Sequence, residues 1–205
     1  MILVIGNGES RINMNLNEYA SRNVTVGCNA IYRDLHVNHL ICCDQSMMRE
    51  ALSAISSDTL LYVRAEWYYT FKKLLKHKNI RKVPDIPNPS DARHDNPNHW
   101  GSGAYALLVA AMLEDSHIAV VGFDLYGKGE LVNNVYKDTV NYTSSRTRSV
   151  DPSYWIYHIS KIFKNFPNKT FIILNTDCWK MPDAWNLPNV TFAPLNKIQD
   201  YLQIT

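Results

Sequence analysis

The chain lacks any stretch of about 20 apolar residues that could cross a bilayer, and Met1 runs directly into the short apolar segment 2–5 with no charged region before it. The expectation is a cytoplasmic protein with no membrane span. Cysteine is scarce: four residues, at 28, 42, 43 and 178, without the paired short spacings of zinc sites, and the adjacent pair is poorly shaped for a bridge. Reduced thiols fit best. Charge of one sign is also missing. The 21 Lys and Arg against 19 Asp and Glu give a net charge of only +2, and the basic residues are scattered, so no electrostatic footprint for nucleic acid is present. There is no internal repeat, low-complexity tract or heptad pattern, which removes solenoids, interaction tails and coiled coils. No Asp-X-Asp occurs either, so a metal-bridged diphosphate site lacks its usual carboxylates. Metal-independent chemistry without a resident cofactor is expected.

What the chain does contain, in 205 residues with 46% hydrophobic and 20% charged side chains, is enough for one sizeable core. Continuous apolar runs rich in β-branched residues lie at 2–5, 24–28, 39–43, 60–63, 118–121 and 171–174. Runs of that length without alternation are strands covered on both faces. Helices are predicted over 45–56, 67–75, 102–113, 152–163 and 195–202. Strand and helix alternate, which predicts a single α/β domain over residues 1–205: a Rossmann-like, doubly wound, mainly parallel sheet with ligands bound beyond the carboxyl ends of its strands. Two stretches interrupt the pattern. Residues 84–101 hold four of the nine prolines, and residues 127–151 are polar and carry Tyr136, Tyr142, Arg146 and Arg148. The second is long enough to be an active-site lid or a disordered segment, and the lid is the sharper reading.

Residues with chemistry cluster just after predicted strands. The first strand ends in Gly6-Asn7-Gly8-Glu9-Ser10, a turn whose glycines let a ligand approach the backbone; its other reading is a purely structural turn. Asn29, after the second strand, is placed to bond a base, ribose or phosphate, or to close an Asx turn. Asp44, after the third, either caps the next helix or points a carboxylate into the crevice. Gly101-Ser102-Gly103 opens an alanine-rich helix, so backbone N–H groups and a hydroxyl meet at a positive helix terminus, where a phosphate or a plain serine cap fits. Asp124 and Tyr126 sit on alternate positions past the strand at 118–121, facing one ligand or fixing the turn and core. Of the histidines, His99 lies nearest the Gly-Ser-Gly turn, whereas His158, within a predicted helix, is read as a packed or surface histidine rather than a base. No Ser-His-Asp or Cys-His set can be assembled, which disfavours a nucleophilic hydrolase.

Taken in order, these segments resemble the bacterial lipooligosaccharide sialyltransferases over about residues 1–127. The resemblance rests on the Gly6–Ser10 turn, Cys28-Asn29, Asp44-Gln45-Ser46, Ser102-Gly103 and Gly122-Phe123-Asp124-Leu125-Tyr126. It implies a nucleotide-sugar donor as substrate, with Gly6, Asn7, Gly8, Ser10, Asn29, Ser102 and Gly103 as donor contacts. Tyr126 would hydrogen-bond the departing phosphate, with Tyr136 as its partner. The sequence departs from that family in having Glu9 for a proline, Asp44 for an asparagine, and no histidine over 141–150 where the base would lie; Asp44 is then the alternative base and Asp124 an organiser of the site. The acceptor is expected to be a glycan or a modified nucleobase. The core also resembles archaeal-type hydroxymethylpterin pyrophosphokinases, in which Asp44 and Asp124 would hold magnesium, and a non-catalytic nucleotide-binding module is the third reading. The sequence leaves the oligomeric state open.

Overall fold

The computed structural model describes residues 1–71 and 79–202. Eight strands form one sheet in the order β5-β4-β3-β2-β1-β6-β7-β8: β1 (Ile2–Ile5), β2 (Val24–Cys28), β3 (His39–Cys42), β4 (Leu60–Val63), β5 (Ile80–Lys82), β6 (His117–Val121), β7 (Thr170–Asn175) and β8 (Val190–Pro194). Every pairing is parallel. The sheet is therefore of the Rossmann-like α/β kind, built outward from β1 to β5 and then, after one long return, from β6 to β8.

Helices cover both faces: α1 (Leu16–Ala20), α2 (Gln45–Ala54), α3 (Ala65–Phe71), α4 (Ser102–Met112), α5 (Ser153–Asn165) and α6 (Ile198–Tyr201). The strands sort their side chains by alternation, as a pleated backbone requires. Ile2, Val4, Val26, Ile41, Val120 and Ile173 pack with α4 and α5, while Leu3, Ile5, Leu40, Leu61, Val121 and Leu174 pack with α1, α2 and α6. Continuous apolar runs follow from burial on both sides. Helix α4 lies across β1, β2 and β3 and against α5, and nine of its eleven residues are buried. Such a helix must be apolar all round, which explains its run of alanine, leucine and valine.

Strands β5 and β8 and helix α1 escape the sequence reading. β5 buries only Ile80 and turns Arg81 and Lys82 outward, and β8, the other edge, buries only Val190 and Ala193 of its five residues. α1 is a five-residue helix that buries only Leu16 and Tyr19. The helix expected over 67–75 begins earlier, at Ala65, and its last part lies outside the described residues. The segment expected over 195–202 is a short 3-10 turn followed by α6.

The proline-rich stretch is ordered. Arg64, just past β4, donates to the carbonyls of Cys43 (3.1 Å), Pro97 (2.5 Å), Asn98 (3.2 Å) and Trp100 (3.0 Å). Trp100 is fully buried and donates from its indole to the His94 carbonyl at 3.1 Å. Together these contacts fix the approach to α4, and so where the amino terminus of that helix points. Among the described residues no helix is long and apolar enough to cross a membrane.

Candidate functional site

β1 and β6 are neighbours, yet the chain leaves them toward opposite sides of the sheet. A crevice must open beyond their carboxyl ends, the place where open α/β sheets bind ligands. The two turns there are sewn together: Gly6 N–H donates to the Val121 carbonyl and Gly8 N–H to the Gly122 carbonyl, both at 2.8 Å. Contact this close leaves no room for side chains. A Cβ on Gly6 would stand 2.3 Å from the Gly122 oxygen, and one on Gly8 2.3 Å from the Asp124 carboxyl carbon. Both glycines line the cleft, but what first demands them is the fit of one turn against the other.

Asp124 is the lock in that fit. Its side chain accepts from Ser10 N–H (2.9 Å) and from the Ser10 hydroxyl (2.5 Å), with the Asn175 amide at 3.4 Å. The expected organiser of the site is thus engaged inside the protein. Beneath the turn, buried Arg11 donates to the Gly6 carbonyl at 2.7 Å and to the Tyr136 hydroxyl at 2.9 Å. Tyr136 in turn donates to Asp34 at 2.6 Å. Tyr136 therefore does not reach the cleft, and its hydroxyl props Arg11 rather than pairing with Tyr126. Ser10 is likewise turned away, toward a neighbouring groove.

The cleft has a volume of about 380 Å³, within the range of small-molecule sites. Asn7, Gly8, Asn29, Asp44, Ser102, Gly103 and Tyr126 all line it. Asn7 has a fixed orientation: its amide donates to the Tyr142 hydroxyl at 3.1 Å, and its backbone carbonyl accepts from Val135 N–H at 2.9 Å. The side-chain oxygens of Asn7 and Asn29 are buried without a partner. Asn29 takes a left-handed backbone, φ 53°, which asparagine tolerates better than most residues. Leu125, beside Tyr126, does the same with φ 63°, costly for a branched aliphatic residue and typical of functional turns.

Asp44 stands at the start of α2 without capping it: its side chain makes no cap hydrogen bond, and it is exposed at the cleft. Among the described residues the carboxylate has no hydrogen-bond or ion-pair partner. Ser102 is buried, and its hydroxyl oxygen accepts from Cys43 N–H at 2.9 Å, tying α4 to the end of β3. Gly101 caps α4 without a side chain, so the first N–H groups of an eleven-residue helix open toward the cleft. Tyr126 is 38% exposed; burial and then the nearby Asp183 carboxylate raise its phenol above the ordinary value, so at neutral pH it is a proton donor. Cys28 also lines the cleft, but burial pushes its thiol up to about 12, which removes it as a nucleophile.

Residues 127–151 form the remaining wall. They are held by Val132 N–H to the Thr147 carbonyl (2.9 Å) and Ser149 N–H to the Glu130 carbonyl (2.8 Å), and fastened to the body by Arg33, which donates to Thr139 (2.8 Å) and the Val140 carbonyl (3.0 Å). Val132, Asn133, Asn134, Thr143, Thr147, Arg148, Ser149 and Val150 of this stretch face the cleft. Among the described residues Arg148, 3.8 Å from Glu130, is the one lining cation, and Trp155 with Ile159, one turn apart on α5, completes the rim. Trp155 and Arg148 are missed as site residues by sequence reasoning, because neither follows a strand; the only signal for Arg148 is its place in the long polar stretch. His99 does not line the cleft and bonds the Arg93 carbonyl at 2.8 Å. Among the described residues no group of three or more His, Cys, Asp or Glu is arranged to hold a metal ion.

No protein-family model, curated protein or solved structure matches the chain. The cleft itself carries the functional argument.

Proposed function

We propose that the protein is a glycosyltransferase that binds a nucleotide sugar in this cleft and transfers its sugar without a metal ion. The observation that carries the reading is that Asn7 and Asn29, which line a cleft at the β1/β6 switch point, each hold a buried side-chain oxygen without a partner. Buried acceptors without partners are rare, and the donor hydroxyls of a ribose, or a base amine, would satisfy them. The open N–H groups of α4 supply positive potential for a phosphate in the same space, with the exposed Arg148 guanidinium, 3.8 Å from the Glu130 carboxylate, at the rim.

In the step this suits, an acceptor hydroxyl oxygen bonds to the anomeric carbon of the donor sugar. The carbon–oxygen bond to phosphate breaks, its electron pair leaves with the phosphate, and the hydroxyl proton passes to the Asp44 carboxylate. Tyr126 donates to the departing phosphate, an interaction that strengthens as charge develops. The pyrophosphokinase reading asks Asp44 and Asp124 to hold magnesium together, but the Asp124 oxygens already accept from Ser10, so nothing observed favours it. A purely binding module leaves the free carboxylate and the exposed phenol without a task.

Thermal unfolding with a panel of nucleotides and nucleotide sugars, with and without Mg²⁺, tests the site, since a ligand of the native state must raise the transition. Stabilisation without metal is expected from one nucleotide class; stabilisation by ATP only with Mg²⁺ would transfer the case to the pyrophosphokinase. With the donor identified, Tyr126→Phe should slow transfer by about 100-fold while donor binding stays within about threefold. Unchanged turnover would remove the phenol from the mechanism.

A further inference from the structure

A second cavity, about 750 Å³, adjoins the first, and Asp124, Tyr126, Gly127 and Asn133 line both. Its inner polar groups are already satisfied: Asn133 accepts from Glu9 N–H at 2.8 Å and donates to the Tyr126 carbonyl at 3.1 Å, and Asn175 accepts from Thr176 N–H at 2.8 Å. The rim is different. The Asn13 amide and the Lys180 ammonium line the groove, and neither has a hydrogen-bond or ion-pair partner among the described residues.

Trp179 forms a fixed surface beside them. Its indole N–H donates to the Asp124 carbonyl at 2.8 Å, and its ring packs on Trp185 and Phe192 with centroids 6.0 and 5.7 Å away, leaving the residue partly exposed in the groove. A rigid indole next to an amide that both donates and accepts suits a ligand with apolar C–H faces and alternating hydroxyls. A polyanion is poorly served: of the two lining lysines, Lys128 is already opposed by Glu9 at 3.6 Å, which leaves Lys180 alone.

We propose that this groove is a saccharide-binding subsite, seating a glycan chain whose end is brought to the nucleotide cleft at Tyr126. The role of that glycan in transfer rests on the glycosyltransferase reading; its binding does not.

The test is saturation-transfer NMR on the whole protein with lactose, maltotriose and di-N-acetylchitobiose, each at about 10 mM, a range suited to weak sites. The Trp179 indole N–H resonance, assigned with Trp179→Phe, reports the location. Exposed Asn13 and Lys180 allow the double variant Asn13→Ala, Lys180→Ala to keep the fold. At least one sugar should receive saturation and shift the Trp179 resonance, and its affinity should fall at least about fivefold in the double variant while nucleotide stabilisation is unchanged. Saccharide binding that depends on the rim, in a protein that no nucleotide stabilises, would uphold the groove and sink the cleft reading instead. No saturation with any of the three sugars, binding indifferent to the double variant, or a single-stranded oligonucleotide shifting the indole in place of a sugar would overturn the proposal.

Discussion

Gly8 and Asp124 are separated by more than half the chain, yet neither position makes sense without the other. Gly8 has an ordinary extended backbone, φ −66° and ψ 148°, so alanine there is a matter of space alone. The added Cβ would lie 2.3–2.6 Å from the Asp124 carboxylate and force it off Ser10. Gly8→Ala should therefore cost about 1–3 kcal/mol, lowering the melting temperature by roughly 3–10 °C in a chain of this size. Adding Asp124→Ala should cost less than the sum of the two single losses, because the clash has gone. Strict additivity in thermal melts would refute the interlock. Residues of this kind were legible as a group, since a glycine or carboxylate directly after a strand is local information. Their division of labour was not. Whether Asp124 faces a ligand or Ser10, and whether Tyr136 faces Tyr126 or Arg11, depends on contacts between residues more than 100 positions apart.

Helix α5 shows what an element adds beyond its residues. The sequence predicts a helix over 152–163, but not that it turns Trp155 and Ile159 to the cleft and His158 into a buried ring cluster with Trp100, at 4.6 Å between centroids. Burial lowers the His158 imidazole from 6.5 to about 4, only partly opposed by its bond to the His94 carbonyl at 2.7 Å. The folded protein thus holds this ring neutral where the unfolded chain would protonate it. That contribution is complete above pH 6.5 and is lost as pH falls toward 4, amounting to about 2 kcal/mol between pH 7 and pH 5. Asp95, held at about 2 because Lys161 and Ser90 outweigh the effect of burial, acts only at lower pH. His39 is also lowered by burial and acts in the same direction, so the variant is the decisive comparison. Urea midpoints of His158→Gln at pH 7 and pH 5 should differ less than those of the parent. An identical pH slope would show that His158 is not the group responsible. The elements that escaped the sequence, β5, β8 and α1, are short and bury only one or two residues each, so burial leaves little mark on residue choice there.

At the scale of the whole molecule, alternation of strands and helices is enough to give a doubly wound sheet, and it points to the strand ends, where the candidate cleft lies. What alternation cannot give is the return that puts β6 beside β1, because that pairing joins residues more than 110 positions apart. The return creates the crevice, and residues 127–151 follow directly on the turn after β6, so they lie along it. A ligand held between these walls must block every opening that would release it. At about 100 times its dissociation constant, a nucleotide would stabilise the closed arrangement by about 2.7 kcal/mol and slow exchange through such openings about 100-fold. Amide exchange followed by mass spectrometry should accordingly slow in residues 6–10, 122–127 and 127–151. Locally opening amides at the amino ends of the strands, such as 56–60 and 113–117, lie at the opposite edge of the sheet and should keep their rates. Protection confined to 6–10 and 122–127, with 127–151 exchanging as before, would mean that this segment walls the cleft without closing on its ligand, and the catalytic case would then rest on Asp44 and Tyr126 without the cover.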